Sequence, residues 1–456
     1  MSELNYSADD FAPLAKEQEI QGITRPSLSY WQDAWMRLKA NRRAVISLYI
    51  VIFLLLFTIV GPWIWTVDSA SQDLDQVSQT PFADRSALIV EPFQPWDSQV
   101  VVPPTTGLAL AEPATTQASR LVWAKMPGVS GYRIYRNIFP AGENKAFGLP
   151  LGENFSPDQV LFEDLLDLVP QSYYYYIVGL DQFSRETDNF YELKVDLLRV
   201  VTLAEIAERN LDEGTSHNVG DKINLALHPF GTDYLGRDML ARLMHGARIS
   251  LFIGIAAPLF YVLIGIIYGS AAGFVGGLAD QFMMRFADFV VALPFLLFMI
   301  LFKIAFGIGP GESGVLPMLL AMVILSWPST ARLVRGQILQ IREEGYIDAS
   351  RLLGAKTNYL ILRHMIPNTM GVILVTITFA VPAAIFTEAF LSFIGMGVAP
   401  PTPSWGSMCN EGIKTMLTHP HELIFPAVFI SITVLAFNLL GDGLRDALDA
   451  RMRSRE

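Results

Sequence analysis

Residues 342–368, REEGYIDASRLLGAKTNYLILRHMIPN, form a charged segment between two long apolar runs. Basic side chains alternate in this segment with isoleucine and leucine at helical spacing, which is typical of a helix that lies along a membrane surface. Gly354 interrupts the pattern where a left-handed helix cap would stand, and Pro367 suits the first turn of a following helix. The pattern predicts two short surface helices joined at Gly354, which form a projection that another protein could bind.

The same segment resembles the EAA loop of ABC-transporter permeases. Asp348, Ala349 and Ser350, then Gly354 and then Pro367, stand at the spacing found in that family, with Asp for Glu at the first position and Ser for Ala at the third. The resemblance implies a coupling helix that docks on an ATPase subunit. Its residues are Asp348, Ala349, Ser350, Arg351, Gly354, Ala355, His364 and Pro367. From the residues alone, a plain basic loop produced by the positive-inside rule stays open as the alternative.

Composition indicates a membrane protein. The 456 residues are 52% hydrophobic and 17% charged, whereas soluble domains are about 25% charged. The formal net charge is −11, and residues 68–231 alone carry 23 acidic and 11 basic side chains, so the rest of the chain is close to neutral. An acidic excess argues against a nucleic-acid partner, which would need clustered Lys and Arg.

The sequence contains no pattern that predicts catalysis, a cofactor or a metal. There is no GxxxxGK[ST] segment, so the chain carries no P-loop ATPase site of its own. Cys409 is the one cysteine and cannot form an internal disulfide. His228, Asp233 and His245 match no standard metal-site spacing. We therefore predict no catalytic residues, no cofactor and no metal ligands.

Six apolar runs predict six transmembrane helices: 44–66, 249–275, 286–308, 316–335, 369–393 and 423–441. Four glycines in or after the second run, Gly265, Gly269, Gly273 and Gly277, recur every four residues, as in helices that approach each other closely. Arginines precede the first run and follow the last, so the positive-inside rule places both termini and the 342–368 loop in the cytoplasm. The chain is expected to be a multi-pass protein of the cytoplasmic membrane.

The chain divides into four parts on this basis. Residues 1–43 form a cytoplasmic tail with an interfacial helix, and residues 44–66 form the first span. Residues 67–231 read as an extracytoplasmic insertion, because no stretch in them could cross a bilayer. Residues 232–456 contain the other five spans, the 342–368 loop, and Cys409 in an outward-facing loop that is expected to react with maleimide.

Residues 100–200 of the insertion show the pattern of a small β-sandwich. Short strand-like runs at 121–123, 132–135, 162–164 and 173–178 are separated by Pro and Gly, and residues 201–227 read as a short polar helix and a linker. The predicted inward-facing residues are Trp123, Tyr132, Ile134, Tyr174, Tyr176 and Val178. The order of a strand Trp, GYRIYR at 131–136 and LVPQSYYYY at 168–176 resembles a fibronectin type III module. The four tyrosines could instead form a sugar or peptide platform, although two in the core and two on a sheet face is the simpler interpretation.

Two further stretches carry a resemblance. HPFGTDYLGRDMLARLMHGAR at 228–248 is similar to the block that opens the second span of C-type permeases for dipeptides, oligopeptides and nickel. FTEAFLSFIGMGVAPPTPSWG at 386–406 resembles the fifth span and outer loop of C-type peptide permeases. Glu388 in this stretch could line the translocation path near the outer gate, or could be a carboxylate bonded to the backbone at a helix break.

Together the resemblances imply a mainly α membrane protein with the type I ABC importer permease fold and an inserted extracytoplasmic β-sandwich-like domain. They imply one half of the pore of an ATP-driven importer of oligopeptides or dipeptides. The implied partners are a homologous B-type permease subunit, two ABC ATPase subunits and an extracytoplasmic substrate-binding protein. A permease for nickel or another small solute, and a membrane-anchored receptor or adhesin, are the alternatives.

Overall fold

A computed structural model describes residues 30–96, 102–142, 147–208, 217–306, 314–398 and 401–448. Its helices are α1 Tyr30–Ala40, α2 Arg42–Ile59, α3 Gly61–Ile64, α4 Leu203–Glu208, α5 Met239–Val275, α6 Gly277–Ala292, α7 Phe295–Ala305, α8 Val315–Arg342, α9 Gly345–Leu352, α10 Thr357–Tyr359, α11 Ile366–Phe393, α12 Trp405–Thr415 and α13 His421–Leu448. Its strands are β1 Ser86–Val90, β2 Leu108–Leu110, β3 Ser119–Trp123, β4 Gly131–Asn137, β5 Pro150–Asn154, β6 Leu161–Asp164, β7 Ser172–Leu180, β8 Glu186–Asp196, β9 Val200–Thr202 and β10 Lys222–Asn224.

Helices that are long and apolar enough to cross a membrane account for all six predicted spans. Five of them are α2, α5, α8, α13 and the helix Thr357–Phe393 that contains α11, and the pair α6 and α7 makes a sixth if it is counted as one broken span. The first predicted span is too long at its outer end, because α2 ends at Ile59 and the short α3, with a proline in its first turn, follows. The described residues thus contain five such helices, or six with the broken pair, against the six that were predicted.

The third predicted span, 286–308, is wrong as a single straight helix. It begins earlier, at Gly277, and bends by 81° between α6 and α7. Leu293 is extended and Pro294 precedes the first residue of α7. Proline has no N–H to donate and restricts the residue before it to extended backbone, so the helix breaks there.

The membrane part is built on close packing of α5 against α8. A Cβ added to Gly269 would lie 2.3 Å from the Ala331 carbonyl oxygen, and one on Gly265 would lie 2.6 Å from Thr330 Cβ. Glycine is required here because the two backbones are nearly in contact. Gly277, the fourth member of the predicted repeat, instead begins α6 with a φ of +61°.

The insertion contains a sandwich of two sheets. One sheet has the strand order β2-β3-β6 and the other has the order β5-β4-β7-β8. The four predicted runs are all present, as parts of β3, β4, β6 and β7. Trp123, Tyr132 and Ile134 are fully buried between the sheets, with Trp123 and Tyr132 in an edge-to-face contact at 5.3 Å.

The predicted phase of β7 is wrong. Tyr173, Tyr175 and Ile177 face the sandwich core, one residue out of step with the predicted Tyr174, Tyr176 and Val178. The latter three face the opposite side of the sheet, where a second apolar cluster buries Tyr176 and Val178 with Phe147. Alternation decides a strand's phase only when one face is solvated, and here both faces of β7 are covered. Two tyrosines lie in the core and two on a sheet face, so the simpler interpretation of the YYYY run is confirmed.

Tyr173 makes a hydrogen bond of the kind found at a tyrosine corner. Its hydroxyl accepts from the backbone N–H of Val169, four residues upstream, at 3.3 Å. This contact is what the LVPQSYYYY resemblance leads one to expect. The fibronectin type III resemblance itself stays a prediction.

A third sheet, with the order β10-β1-β9, joins the sandwich to the membrane part. It was not predicted, since β10 lies in the supposed linker 201–227 and β1 precedes the sandwich. The adjoining chain is fixed to the start of α5: Ser78 N–H donates to the Asp233 carbonyl at 2.9 Å, and Asp73 N–H to the Gly236 carbonyl at 3.0 Å. The sandwich is therefore mounted on a base that is hydrogen-bonded to the membrane part.

Candidate functional site

The 342–368 loop is anchored to the bundle at its first helix. Ile347 in α9 is fully buried in the main core cluster of the membrane part. Arg342, the last residue of α8, donates from its guanidinium to the carbonyls of Gly273 and Phe274 at 3.3 and 3.5 Å. These carbonyls belong to the last turn of α5, where cations are favoured. A force applied to α9 would therefore reach α5 and α8 directly.

The turn after α9 is a Schellman motif. Gly354 has a φ of +85°, its N–H donates to the Arg351 carbonyl at 3.0 Å, and Ala355 N–H donates to the Ser350 carbonyl at 3.1 Å. These are the two bonds that define the motif, and the left-handed residue in it is usually glycine. The predicted helix, glycine turn and second helix are present.

The second arm of the loop runs into the next span without a break. One turn of α-helix at Thr357–Tyr359 continues through a π-helical stretch, Leu360–Met365, into α11. Pro367 lies in the first turn of α11, as expected. His364 lies between the rings of Tyr346 and Tyr359, at 6.3 and 5.4 Å, and Asn368 donates to the Tyr346 hydroxyl at 2.9 Å. These contacts hold the two arms together.

The tip of the loop presents apolar and charged side chains to solvent. Leu352 and Leu353 are each 89% exposed. Asp348 and Arg351 form an exposed ion pair at 3.4 Å, which contributes little by itself to stability. Two adjacent exposed leucines beside this turn form an apolar patch of the kind that marks a contact with another protein or a membrane.

On the opposite side of the bundle, four charged side chains form a buried network. Arg237 donates to Asp233 at 2.7 Å and to Glu411 at 2.8 Å, and Arg242 bonds to the same two carboxylates. The network joins the start of α5 to α12, which lies between the last two spans. Each carboxylate is thus engaged by two guanidiniums, as buried charges require. Sequence analysis missed Glu411, because nothing in the spacing links it to a block about 170 residues earlier.

A histidine clamp lies beside this network. His228 bonds through Nδ1 to Asp238 at 2.7 Å, and its Nε2 lies 3.9 Å from Asp73. Asp238 also caps α5 and accepts from Trp65 Nε1 at 3.1 Å. Burial opposes protonation of the imidazole, but the two carboxylates outweigh it and raise the pKa of His228 to about 9. The clamp therefore ties the start of α5 to the segment that follows the first span through a charged histidine.

Glu388 is fully buried in α11. One carboxylate oxygen accepts from Ser392 Oγ at 2.8 Å, four residues further along the helix. The carboxylate would have to be uncovered before a solute could touch it, so its predicted place in a translocation path stays a proposal. The bond to a side chain in the same helix also differs from the backbone contact considered as the alternative.

Cys409 lies in α12 and is buried. Burial raises the pKa of its thiol to about 12, and the thiolate is the form that reacts. The expected reaction with maleimide is therefore corrected: the residue follows the fifth span as predicted, but its thiol is covered and protonated.

The sequence of the membrane part matches a known family. Residues 262–454 match the model described as "binding-protein-dependent transport system inner membrane component", and residues 29–81 match that of the N-terminal TM domain of oligopeptide transport permease C. The oligopeptide transport system permease protein OppC of Bacillus subtilis (strain 168) is 51% identical over 226 residues, 50% of this chain and 72% of that protein. This chain belongs to the family of binding-protein-dependent transport system inner membrane components.

A second peptide permease is similar to the same extent. The dipeptide transport system permease protein DppC of Bacillus subtilis (strain 168) is 50% identical over 227 residues, 50% of this chain and 69% of that protein. A chain of the MetNI methionine ABC transporter aligns over 46% of this chain and 98% of its own, with a TM-score of 0.38 and 17% identity. Family membership makes this a multi-pass membrane permease and disfavours the alternative of a receptor with the spans as mere anchor.

Charged residues that sequence analysis passed over link α6 to α8. Arg335 binds Asp280 through two hydrogen bonds of 2.5 Å, and Arg332 binds Asp288 at 2.6 Å. Asp280 was missed because the third span was predicted to begin at residue 286, which left Asp280 in a loop. The other three residues lie inside predicted spans and were not paired with one another. The signal that could have revealed these pairs was the presence of aspartates in or near the predicted third span and arginines in the predicted fourth span.

Proposed function

We propose that this permease is one half of the translocation pore of an ATP-driven importer of oligopeptides or dipeptides. The identity of about half over the region shared with the oligopeptide and dipeptide permeases supports peptides as the solute. The chain carries out no ATP hydrolysis in this scheme. ATPase partners supply the energy, and a homologous B-type permease completes the pore.

The projection at 342–368 is the proposed ATPase-docking site. Its two exposed leucines offer the contact, the Schellman turn at Gly354 fixes their direction, and buried Ile347 transmits displacement into the core. Closure of two ATPase subunits would then move α9 with α5 and α8 between two discrete arrangements, which is what coupling between distant sites requires. Because the ATPases are cytoplasmic in this proposal, the loop and both termini would lie on the cytoplasmic side of the membrane.

The insertion is the proposed accessory module on the outer face. It sits on the same side of the bundle as α12, where an extracytoplasmic substrate-binding protein would have to deliver its solute. Residues 68–231 carry 23 acidic and 11 basic side chains, and a charge excess of this kind acts mainly on the rate of encounter with a partner. The sandwich would steer or space the binding protein and would take no part in the pore.

Purification in mild detergent tests the assembly. The tagged chain should co-purify with a second permease of the same family and with ABC ATPase subunits, identified by mass spectrometry. Replacement of both Leu352 and Leu353 by Glu should release the ATPases and leave the second permease bound. Recovery of this chain alone, or of ATPases that stay bound to the double variant, would contradict the proposed assembly.

A further inference from the structure

Two ion pairs join α6 and α8 at a level along the helix bundle where aliphatic side chains are exposed on its surface. Gly269 of α5 contacts Ala331, the residue before Arg332. On the exposed face of α5, Ile267 is 64% exposed and Val275 is 63% exposed. These two residues lie before and after Gly269 along the helix. The Arg332–Asp288 pair therefore lies within the apolar belt of the bundle.

The two pairs differ in exposure. The Asp280 side chain is 8% exposed and accepts two hydrogen bonds from the Arg335 guanidinium, so its carboxylate has little surface left for another ligand. Arg332 and Asp288 are 45% and 47% exposed, and Arg285 approaches the same carboxylate at 3.6 Å. Charged side chains at membrane depth face water-filled cavities or protein, not lipid. The half-exposed pair accordingly identifies the side of the subunit that is turned away from lipid.

The exposed face of α8 around this pair carries several polar side chains beside one exposed leucine, Leu333. Ser326, Ser329, Arg332, Gly336 and Gln340 recur at intervals of three or four residues, and the last four of them are exposed. The exposed residues of α13 at comparable spacing are aliphatic: Ile424, Val428, Ile432 and Leu435. The exposed face of α8 is therefore the more polar of the two, and it is the one that carries the charged pair.

A cavity extends the polar face towards the outer side. Its volume is about 220 Å³, and Ser326 of α8 and Thr387 of α11 line it together with Tyr261, Phe295 and Met322. Phe295 is the first residue of α7, directly after the break at Pro294. The cavity therefore lies beside this break, between α8 and α11.

We propose that this face of α8, from Ser326 to Gln340, is the wall of the translocation path, and that Asp288 and Arg332 form a solute-contacting site within it. The site suits a zwitterionic solute with free main-chain amine and carboxylate groups. The Asp288 carboxylate can accept from an ammonium and the Arg332 guanidinium can bind a carboxylate with two hydrogen bonds. This assignment rests on the proposed function for the solute class, but the location of the wall does not.

Cysteine accessibility tests the wall independently of any solute. In a Cys409→Ala background, Ser329→Cys and Gln340→Cys are compared with Ile432→Cys in the complete complex reconstituted in nanodiscs. A charged methanethiosulfonate should modify the first two at least about tenfold faster than the third, because it reacts with thiolates in water and not in lipid. Modification is read on this chain by mass spectrometry. Equal rates at the three positions, or protection of Ser329→Cys and Gln340→Cys by a dry protein contact, would overturn the assignment.

Transport of blocked peptides tests the ion pair. Asp288→Asn should lower uptake of a peptide with a free amino terminus about tenfold, the factor for one charge-assisted hydrogen bond. Uptake of the same peptide with an acetylated terminus should be the same in wild type and variant. The charge exchange Asp288→Arg with Arg332→Asp keeps the pair and should restore folding if the single variant is unstable. An equal loss for both peptides would show a structural role only and overturn the solute contact.

The two tests separate this inference from the proposed function. If Ser329→Cys and Gln340→Cys are accessible in a complex that transports no peptide, the wall assignment holds and peptides are rejected as the solute. Peptide uptake through a complex in which Ser329→Cys is inaccessible supports the proposed function and rejects the wall.

Discussion

At the scale of single residues, the end of the helix bundle that carries the insertion depends on charges that are buried in pairs. His228 is held by Asp238 and Asp73, and its pKa is raised to about 9, above the ordinary value of about 6.5. A raised folded-state pKa contributes stability that is fully present below about pH 6.5 and is lost as the pH rises through about 9. The clamp should therefore stabilise the protein at neutral pH.

The variant His228→Gln should be less stable than wild type at pH 6.5, by roughly 2 kcal/mol after allowance for solvent screening. The difference should shrink as the pH rises and vanish near pH 10, where the wild-type imidazole is neutral. Thermal unfolding of the detergent-purified complex between pH 6 and 10 measures this difference. A difference that is independent of pH would mean that His228 acts by packing alone.

At the scale of elements, the packing of α5 on α8 depends on glycine. In Gly269→Ala the new methyl group would lie 2.3 Å from a backbone oxygen of α8, so the helices must separate. Overpacking of this kind costs about 1–3 kcal/mol. We expect a lower melting temperature for Gly269→Ala than for wild type.

Gly336→Ala is the matched control, since a Cβ on Gly336 meets nothing within 4 Å. Alanine is the better helix former by about 1 kcal/mol, so this variant should be as stable as wild type or more stable. If the two variants melt at the same temperature, close packing at Gly269 does not limit stability.

Gly354 tests the coupling loop. Any other residue in its left-handed conformation is strained by about 1–2 kcal/mol, which is about a tenfold shift in the population of the turn. Gly354→Leu should lower ATP-driven uptake about tenfold without change in membrane insertion. Gly345→Leu adds the same side chain at an exposed position where the glycine has no positive φ, and should have the smaller effect. Wild-type uptake by Gly354→Leu, with ATPases bound normally, would remove the coupling role.

The sequence predicts those elements in which one physical rule dominates. The Schellman turn follows from a lone glycine in a helical pattern, and the spans follow from length and hydropathy. The break at Pro294 interrupts a run of apolar residues whose length and hydropathy alone predict one continuous helix. The phase of β7 and the third sheet could not be predicted, because both depend on what covers a face, which is a tertiary property. The pairing of Glu411 with Arg237 and Arg242 is non-local in the same way.

At the scale of the whole molecule, the sheet with the order β10-β1-β9 is the boundary between the sandwich and the membrane part. Removal of residues 102–197, with a short Gly-Ser linker in their place, takes out the sandwich and leaves β1, β9 and β10. ATPase assembly should be unaffected. Uptake at limiting binding-protein concentration should be slower, most clearly at low salt, because charge steering is screened by ions. An unchanged dependence on binding-protein concentration would reject the accessory role, as would loss of the ATPases.

The most direct test of the account is ATP-dependent uptake of a labelled short peptide by proteoliposomes. These contain this chain, its partner permease and the ATPases, with the purified binding protein supplied on the outer side. The account predicts peptide accumulation that needs both ATP and the binding protein. Binding-protein-stimulated ATP hydrolysis that drives nickel or another small solute, and no peptide, would contradict it.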